Sequence, residues 1–399
     1  MSLVEAVPVP SSSRALTIAA HAAFVPIGFV TVILGPMLPA LSERWSLNYA
    51  QGARLFTVQL LASTVAVALS GVLVSLWGFR FTIVAGLLAM AAGIGALPFC
   101  SHLAGLLCIA SYGFGSGLAT PAANIVVAEV NPDRRSAALN RLNFSWSLGA
   151  VACPFLAATA MAIHWTQFLL VAISTFLFLV AVGIATIPFE GMQSPVEGRG
   201  KKLNSVRSFW RQTRFLMLAG IFFLYIGTEV GFGGWITTTV GSLPNSPKML
   251  AVALPSFFYG ALTVGRGVAS LFLKHVGELQ LARAGLLIAV AGMAGMIAAH
   301  DLVTVVLTVI VAGFGLAAVY PIAIWLLSEE FADAASQAGS VMFTLANLGG
   351  ACLPWLVGNF SKQFGNPKAG LAIPLVSALL MYALYQANWK CLRVEASPG

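Results

Sequence analysis

The stretch GFGSGLATPAANIVVAE at residues 113–129 returns as GFGLAAVYPIAIWLLSE at residues 313–329. Six of these seventeen ungapped positions are identical: Gly113, Phe114, Gly115, Pro121, Ala123 and Glu129 pair with Gly313, Phe314, Gly315, Pro321, Ala323 and Glu329. Shared Gly or Leu in apolar segments means little by itself, whereas a Pro and a Glu in phase with them carries weight. The same offset lays Leu148, Gly149, Pro154 and Leu156 over Leu348, Gly349, Pro354 and Leu356. The chain therefore reads as two homologous halves.

Around these segments, 59% of the 399 residues are hydrophobic and 9% are charged, against about 25% charged in an ordinary globular chain. This excludes a soluble protein, a disordered chain and a nucleic-acid binder, since the excess of base comes from few charges in short loops. The five cysteines show no framework or metal-type spacing, and nothing in them reads as redox chemistry. A helix crossing the hydrocarbon layer needs about 20 mainly apolar residues. Twelve such runs are expected, at about 15–40, 53–77, 80–100, 103–129, 137–161, 166–188, 214–240, 249–273, 279–299, 302–327, 338–360 and 369–388. The first run is too long for a signal-peptide core and reads as a retained span.

Of the 21 Lys and Arg residues, fifteen fall on the side holding both termini and the loop 189–213, five on the other side, and Arg266 inside a span. The positive-inside rule then places both termini in the cytoplasm. The chain divides into a six-helix bundle at 1–188, a cytoplasmic linker at 189–213, and a six-helix bundle at 214–399 with a short tail. This is the architecture expected of a parallel-repeat transporter, in which substrate sits between the halves near the midplane. The fold class is all-α membrane protein.

The arrangement resembles the major facilitator superfamily over the whole chain. The loop Gly71-Val-Leu-Val-Ser75-Leu-Trp77-Gly78-Phe79-Arg80 is similar to that superfamily's Gly-x-x-x-Asp-Arg-x-Gly-Arg signature, with Ser75 where the acid sits. Its counterpart is Ser270-Leu-Phe-Leu-Lys274-His275-Val-Gly277. Gly35-Pro36-Met-Leu38-Pro39, Tyr225-Ile-Gly-Thr-Glu229-Val-Gly-Phe-Gly-Gly-Trp235 and Phe257-Phe-Tyr259-Gly260 with Gly265-Arg266 resemble the fucose/galactose/glucose permease branch and its sodium-dependent glucose-transporter-like relatives. The resemblance implies alternating access and a sugar substrate. The permeases carry a glutamate near Ala119 and an aspartate in the first span; this chain has neither.

An ionised side chain at the bilayer centre costs about 2.5–3.5 kcal/mol on insertion scales, so each needs a reason. Glu229 lies about 21 Å along the seventh span at 1.5 Å per residue. Tyr225, Thr228 and Phe232 share its helical face, and Gly231, Gly233 and Gly234 permit a break whose carbonyls could bind a cation or sugar hydroxyls. Glu229 and Arg266 are the expected coupling residues, the competing reading being a structural ion pair between them; their depths differ by about 10 Å, a gap a guanidinium can largely close. Amide, hydroxyl and aromatic groups suit sugar recognition. The candidates are Gln59, Asn124, Asn143, Trp146, Tyr225, Thr228, Trp235, Tyr259, Tyr320, Trp325 and Asn347, and such groups are nearly missing from spans three, six, nine and twelve, which are expected to be peripheral. Each of the amides could instead be interhelical glue.

Arg80, Glu129, Arg141 and Glu329 sit at cytoplasmic helix ends and are expected to brace a gate, Glu129 pairing with Arg80 or Arg141, and Glu329, Glu330 and Asp333 meeting Lys274 or Arg283. His21 is either a proton relay or a snorkelling or backbone-bonded side chain. No nucleotide, hydrolase or metal motif is present, so neither an enzyme nor a metal or cofactor site is expected. The expected function is secondary uptake of a monosaccharide, a neutral hexose or related sugar, with a proton or sodium ion, by a monomer in the cell (inner or plasma) membrane. The rivals are an exporter of amphipathic compounds on the same fold and a non-transporting sensor. The only partners expected are the small-molecule substrate and the lipid bilayer, with no nucleic acid.

Overall fold

The computed structural model describes residues 11–189, 210–244, 246–273, 275–331 and 335–395, and every regular element among them is helical. The first span is Ser11–Val32 with Leu34–Arg44; Tyr49–Ala96 holds the second and third; His102–Glu129, Arg135–Ala162 and Thr166–Thr186 are the fourth, fifth and sixth. The seventh is Thr213–Gly233 with Ile236–Gly241, the eighth Lys248–Ala253 with Pro255–Phe272, and the ninth Glu278–Ala298. Leu302–Leu316 with Val319–Phe331 form the tenth, Ala335–Phe364 the eleventh, and Pro367–Gly370 with Ala372–Glu395 the twelfth. The linker 189–213 lies mostly outside the described residues, as do Lys274 and Asp333.

Eleven described stretches are long and apolar enough to cross a membrane, and one of them, Tyr49–Phe99, holds 51 residues. At 1.5 Å per residue it would run about 75 Å, more than twice a hydrocarbon layer of about 30 Å, so it makes two crossings. The reversal is at Gly78, whose φ of 81° and ψ of 171° are open only to glycine. Packing against the fourth span shows it directly. Gly113 and Gly117 abut the backbone of Gln59 and Ser63 in the same chain direction, while Gly115 meets Gly86 and Met90, and Gly93 meets Cys108 and Tyr112, in the opposite one. Twelve spans result, as the hydropathy predicts.

The sequence repeat recurs as repeated packing. A Cβ added at Gly113 would strike the Gln59 carbonyl on the second span, and one at Gly313 would strike the Phe258 carbonyl on the eighth. Gly115 closes on Gly86 of the third span, and Gly315 on Gly285 of the ninth. Gly149 presses on the Val25 carbonyl of the first span, and Gly349 on the Phe223 carbonyl of the seventh. With no hydrophobic drive between helices in lipid, such close approach supplies the van der Waals contact that holds them. The repeated glycines are thus the helix-crossing points of two six-helix bundles.

The first and seventh spans are interrupted at matching heights. Pro36 offers no N–H to the Val32 carbonyl, and the helix breaks at Ile33. The seventh span ends its long segment at Gly233 and resumes at Ile236. The two interruptions meet across the halves, with a Cβ at Gly35 placed 3.0 Å from the Gly234 Cα.

Candidate substrate and ion site between the halves

Among the described residues the close contacts between the halves gather toward one end. Tyr49 faces Trp235 with ring centroids 6.2 Å apart, Phe155 meets Phe257 at 5.6 Å, and Gly358 abuts Ala53 and the Tyr49 carbonyl. Thr57 Oγ1 donates to the Ala351 carbonyl at 3.1 Å, and Gly350 abuts Leu60. These residues lie toward the end that carries the turns 45–48 and 97–101. Toward the Gly78 end the same helical faces open: after Leu60 come half-buried Thr64 and exposed Ala68 and Gly71, and before Gly350 come half-buried Asn347 and exposed Phe343 and Ser340. The facing helices are thus packed at the Trp235 end and exposed toward the Gly78 end, the pattern of a cleft open at the Gly78 end.

Glu229 lies on the seventh span on the side away from Gly227 and Gly231, the glycines that pack on Leu353, the Gly349 carbonyl and Pro354 of the eleventh span. It is 7% exposed. Its Oε2 lies 3.9 Å from Arg266 Nη2, so the guanidinium does span the depth difference expected from sequence. Arg266 Nη2 also reaches the Tyr225 hydroxyl at 3.5 Å, while the buried Arg266 Nε has no hydrogen-bond partner. Both distances exceed the roughly 2.7–2.9 Å of a close charge-assisted bond. The pair is therefore loosely engaged, with donor capacity to spare. The break in the seventh span falls at Gly234-Trp235, a turn beyond the Glu229 carboxylate, so the helix is continuous through Gly231.

Beside the arginine stand stacked rings. Tyr225 and Tyr320 lie 5.0 Å apart at 23°, with Phe222 against Tyr320 at 5.5 Å and Phe343 against Phe222 at 5.8 Å. Tyr225 is fully buried and Tyr320 half-buried, so the second ring forms the accessible face. Asn347, also half-buried, makes no hydrogen bond to another described residue. The fully buried Thr228 hydroxyl and Trp235 Nε1 are likewise unpartnered. Tyr259 lies over the seventh-span break, where a Cβ at Gly233 would come 2.9 Å from its hydroxyl.

The remaining candidates are placed differently. Gln59 is buried and its amide donates to the Thr31 carbonyl at 3.0 Å, tying the second span to the first. Asn124 and Asn143 each donate back to the carbonyl four residues earlier, Thr120 and Leu139, leaving their amide oxygens open. The Trp146 backbone is covered by Gly28, and Trp325 is 39% exposed. Glu229, Arg266, Tyr225 and Tyr320 come together, while the Gln59 amide is committed to the Thr31 carbonyl. Sequence reasoning missed Phe222, Phe343 and the Thr57–Ala351 bond, for which only the hydropathy of their spans gave a signal.

At the open end no ion pair joins Arg80, Glu129, Arg141 and Glu329 to one another among the described residues. Arg80 instead lies over the Phe189 ring, 5.4 Å from its centroid, at a hollow of about 470 Å³ lined by Trp77, Phe79, Phe81, Val84 and Ala185. Glu330 takes Arg214 at 2.7 Å, and Arg283 binds Gln386 Oε1 at 2.7 Å, partners the gate reading did not name. His21 Nδ1 shares a 2.7 Å hydrogen bond with Ser145 Oγ on the fifth span, a side-chain partner rather than the expected backbone one.

The sequence profile of the Major Facilitator Superfamily matches residues 20–388. The sodium-dependent glucose transporter 1A of Mus musculus is 22% identical over 412 residues, covering 93% of this chain and 95% of that protein. The sodium-dependent glucose transporter 1 of Rattus norvegicus is 22% identical over 417 residues, covering 94% and 84%. Among solved structures, the nucleoside transporter NupG superposes with a TM-score of 0.78 at 13% identity, covering 94% of this chain and 99% of that one. A D-xylose-proton symporter gives 0.74 at 16%, covering 93% and 97%, and FucP in its outward conformation 0.67 at 16%, covering 94% and 99%. At these identities the superpositions speak for the fold. The profile match over nearly the whole chain, joined to the repeated helix crossings, makes this protein a membrane transporter that belongs to the major facilitator superfamily.

Proposed function

We propose that this transporter takes up a monosaccharide, a neutral hexose or a related sugar, together with a proton or a sodium ion, and that Glu229 is the coupling group. The observation that carries the reading is the buried Glu229 carboxylate, 3.9 Å from a partly exposed Arg266. A proton or cation on Glu229 weakens its hold on Arg266, whose free donors then serve substrate hydroxyls; loss of the ion draws the arginine back. Tyr320 offers a ring face to the apolar side of a sugar, and Asn347 an uncommitted amide. The names of the relatives, glucose transporters and a xylose symporter among them, point to the same substrate class.

With the termini in the cytoplasm, as the distribution of Lys and Arg favours, the open end faces inward and Tyr49, Phe155, Trp235 and Phe257 form the outer seal. Outward opening then parts the Gly35–Gly234 and Thr57–Ala351 contacts and brings Arg80, Glu129, Arg141 and Glu329 to bear on closing the inner end. The unit is a monomer in the cell membrane and needs no cofactor beyond the ion gradient. The test is uptake of labelled monosaccharides into liposomes under imposed proton or sodium gradients, with Glu229→Gln in parallel. The unaltered protein should accumulate sugar and the variant only equilibrate it. Accumulation by the variant refutes the coupling role, and movement of an amphipathic dye in place of any sugar favours the exporter.

A further inference from the structure

Cys100 and Cys108 were unremarkable in the sequence, eight residues apart with no partner spacing, yet the fold brings their sulfurs to 3.4 Å. Cys100 closes the short turn Leu97–Phe99 in an extended conformation, φ −90° and ψ 150°, between the third and fourth spans. Cys108 lies in the second turn of the fourth helix, which begins at His102, and its side chain comes back toward that turn. Both residues are half-buried, so the pair is reachable from the end of the molecule.

The backbone on either side of the pair is tied down. Arg44 donates to the Pro98 carbonyl at 2.6 Å and to the Cys100 carbonyl at 2.9 Å. The Trp45 ring faces His102 at 5.5 Å, and Gly105 leaves room for the same indole, which a Cβ there would strike. The thiols therefore meet because a clamped turn presents them to each other. Bringing the sulfurs to the roughly 2.03–2.05 Å of a bond requires about 1.4 Å of approach, within the reach of side-chain rotation. Cys153 is buried in the fifth span and Cys352 lies on the eleventh, so neither competes for the pair.

We propose that Cys100 and Cys108 form a disulfide that staples the third span to the fourth at the closed end. This rests on the orientation given above, which puts that end outside the cytoplasm, where thiols are oxidised. The oxidant is a disulfide-bearing thiol oxidase or a small-molecule disulfide. One cysteine, as its thiolate, attacks the oxidant disulfide and releases the first thiolate; the second cysteine, deprotonated, attacks the mixed disulfide and releases the other. Two electrons and two protons pass to the oxidant, which leaves as two thiols, and one S–S bond is gained in the protein as one is lost in the oxidant. The staple fixes the turn on which Arg44 and Trp45 dock the outer segment of the first span.

The full-length protein, purified from membranes without reductant and denatured in a maleimide-linked polyethylene glycol, should show three reactive thiols of its five, rising to five after reduction. Mass spectrometry should find the peptides bearing Cys100 and Cys108 joined. Cys100→Ser should free its partner and show four reactive thiols without reductant, and Cys352→Ser should show two. Reduction should lower the melting temperature of the unaltered protein and leave that of the Cys100→Ser/Cys108→Ser variant unchanged. Five reactive thiols in the unreduced protein, or a linkage to any other cysteine, overturns the assignment, and either result leaves the transport reading to its own test.

Discussion

The two halves share a backbone plan and divide the chemistry. Superposed through their glycine crossings, Gly149 on Val25 and Gly349 on Phe223, they set Thr31 of the first span opposite Glu229 of the seventh. Gln59 of the second span matches Phe258 of the eighth by the same reasoning. In the first half the amide of Gln59 is spent on the Thr31 carbonyl and the Thr31 hydroxyl on the Ile27 carbonyl, so both polar side chains serve the backbone. In the second half Glu229, Arg266 and Tyr225 hold one another at 3.5–3.9 Å and keep unused bonding capacity. At these matched positions the first half spends its polar side chains on the backbone, and the second half keeps a loosely held charged pair. The two halves share one set of helix crossings, and the candidate site stands where a few side chains differ between them.

The sharpest way to break this comparison is to neutralise matched positions. Glu229→Gln should abolish uphill accumulation in liposomes, whereas Thr31→Val, which removes only a hydroxyl back-bond, should leave the accumulation ratio within about a factor of two. Equal losses in both would mean that the halves share the coupling chemistry. Next in size are the crossings. Gly149→Ala and Gly349→Ala both drive a Cβ into a neighbouring carbonyl, and each should cost about 1–3 kcal/mol of stability, read as a fall in melting temperature in detergent. A fall in one alone would show that the repeated contacts are not equivalent.

The loops before the third and ninth spans give a cleaner contrast. Gly78 has φ of 81° and open space around its Cβ position, so Gly78→Ala should cost about 1–3 kcal/mol through backbone strain alone. Its counterpart Gly277 has φ of −65° and equal space, so Gly277→Ala should leave the melting temperature unchanged. The smallest effect belongs to the contact between the halves. Thr57→Val removes the bond to the Ala351 carbonyl, worth about 0.5–1.5 kcal/mol, and should shift the population toward outer opening. Distances between spin labels across the Tyr49–Trp235 seal, measured in lipid, would report that shift, and an unchanged distribution would assign the bond no part in the seal.

Spans, halves and intramembrane charges were all legible before any coordinates, because hydropathy and repetition are properties of the chain read along its length. Partners across helices were not. Glu330 takes Arg214, which the sequence did not name, and Arg283 reaches Gln386, since which side chains meet depends on how neighbouring helices tilt and rotate; Lys274 and Asp333 lie outside the described residues. His21 finds Ser145 from 124 positions away for the same reason. The Gly-rich stretch 231–234 announced a break, but its position beyond the Glu229 carboxylate is set by packing of Gly234 against Phe56 and Gly35.

The repeat opened by Gly113-Phe114-Gly115 and closed by Glu129, with its copy two hundred residues on, together with twelve apolar runs, determined that this chain is two bundles of six helices. Small residues at fixed spacing are a local record of where helices cross, so no tertiary information was needed to read them. Which carboxylate would be held loosely, which amides would be consumed by the scaffold and which two thiols would touch were decided only in three dimensions. Those outcomes depend on distances of a few ångströms between segments far apart in the chain, and bonding at that range changes with the rotation of a single helix.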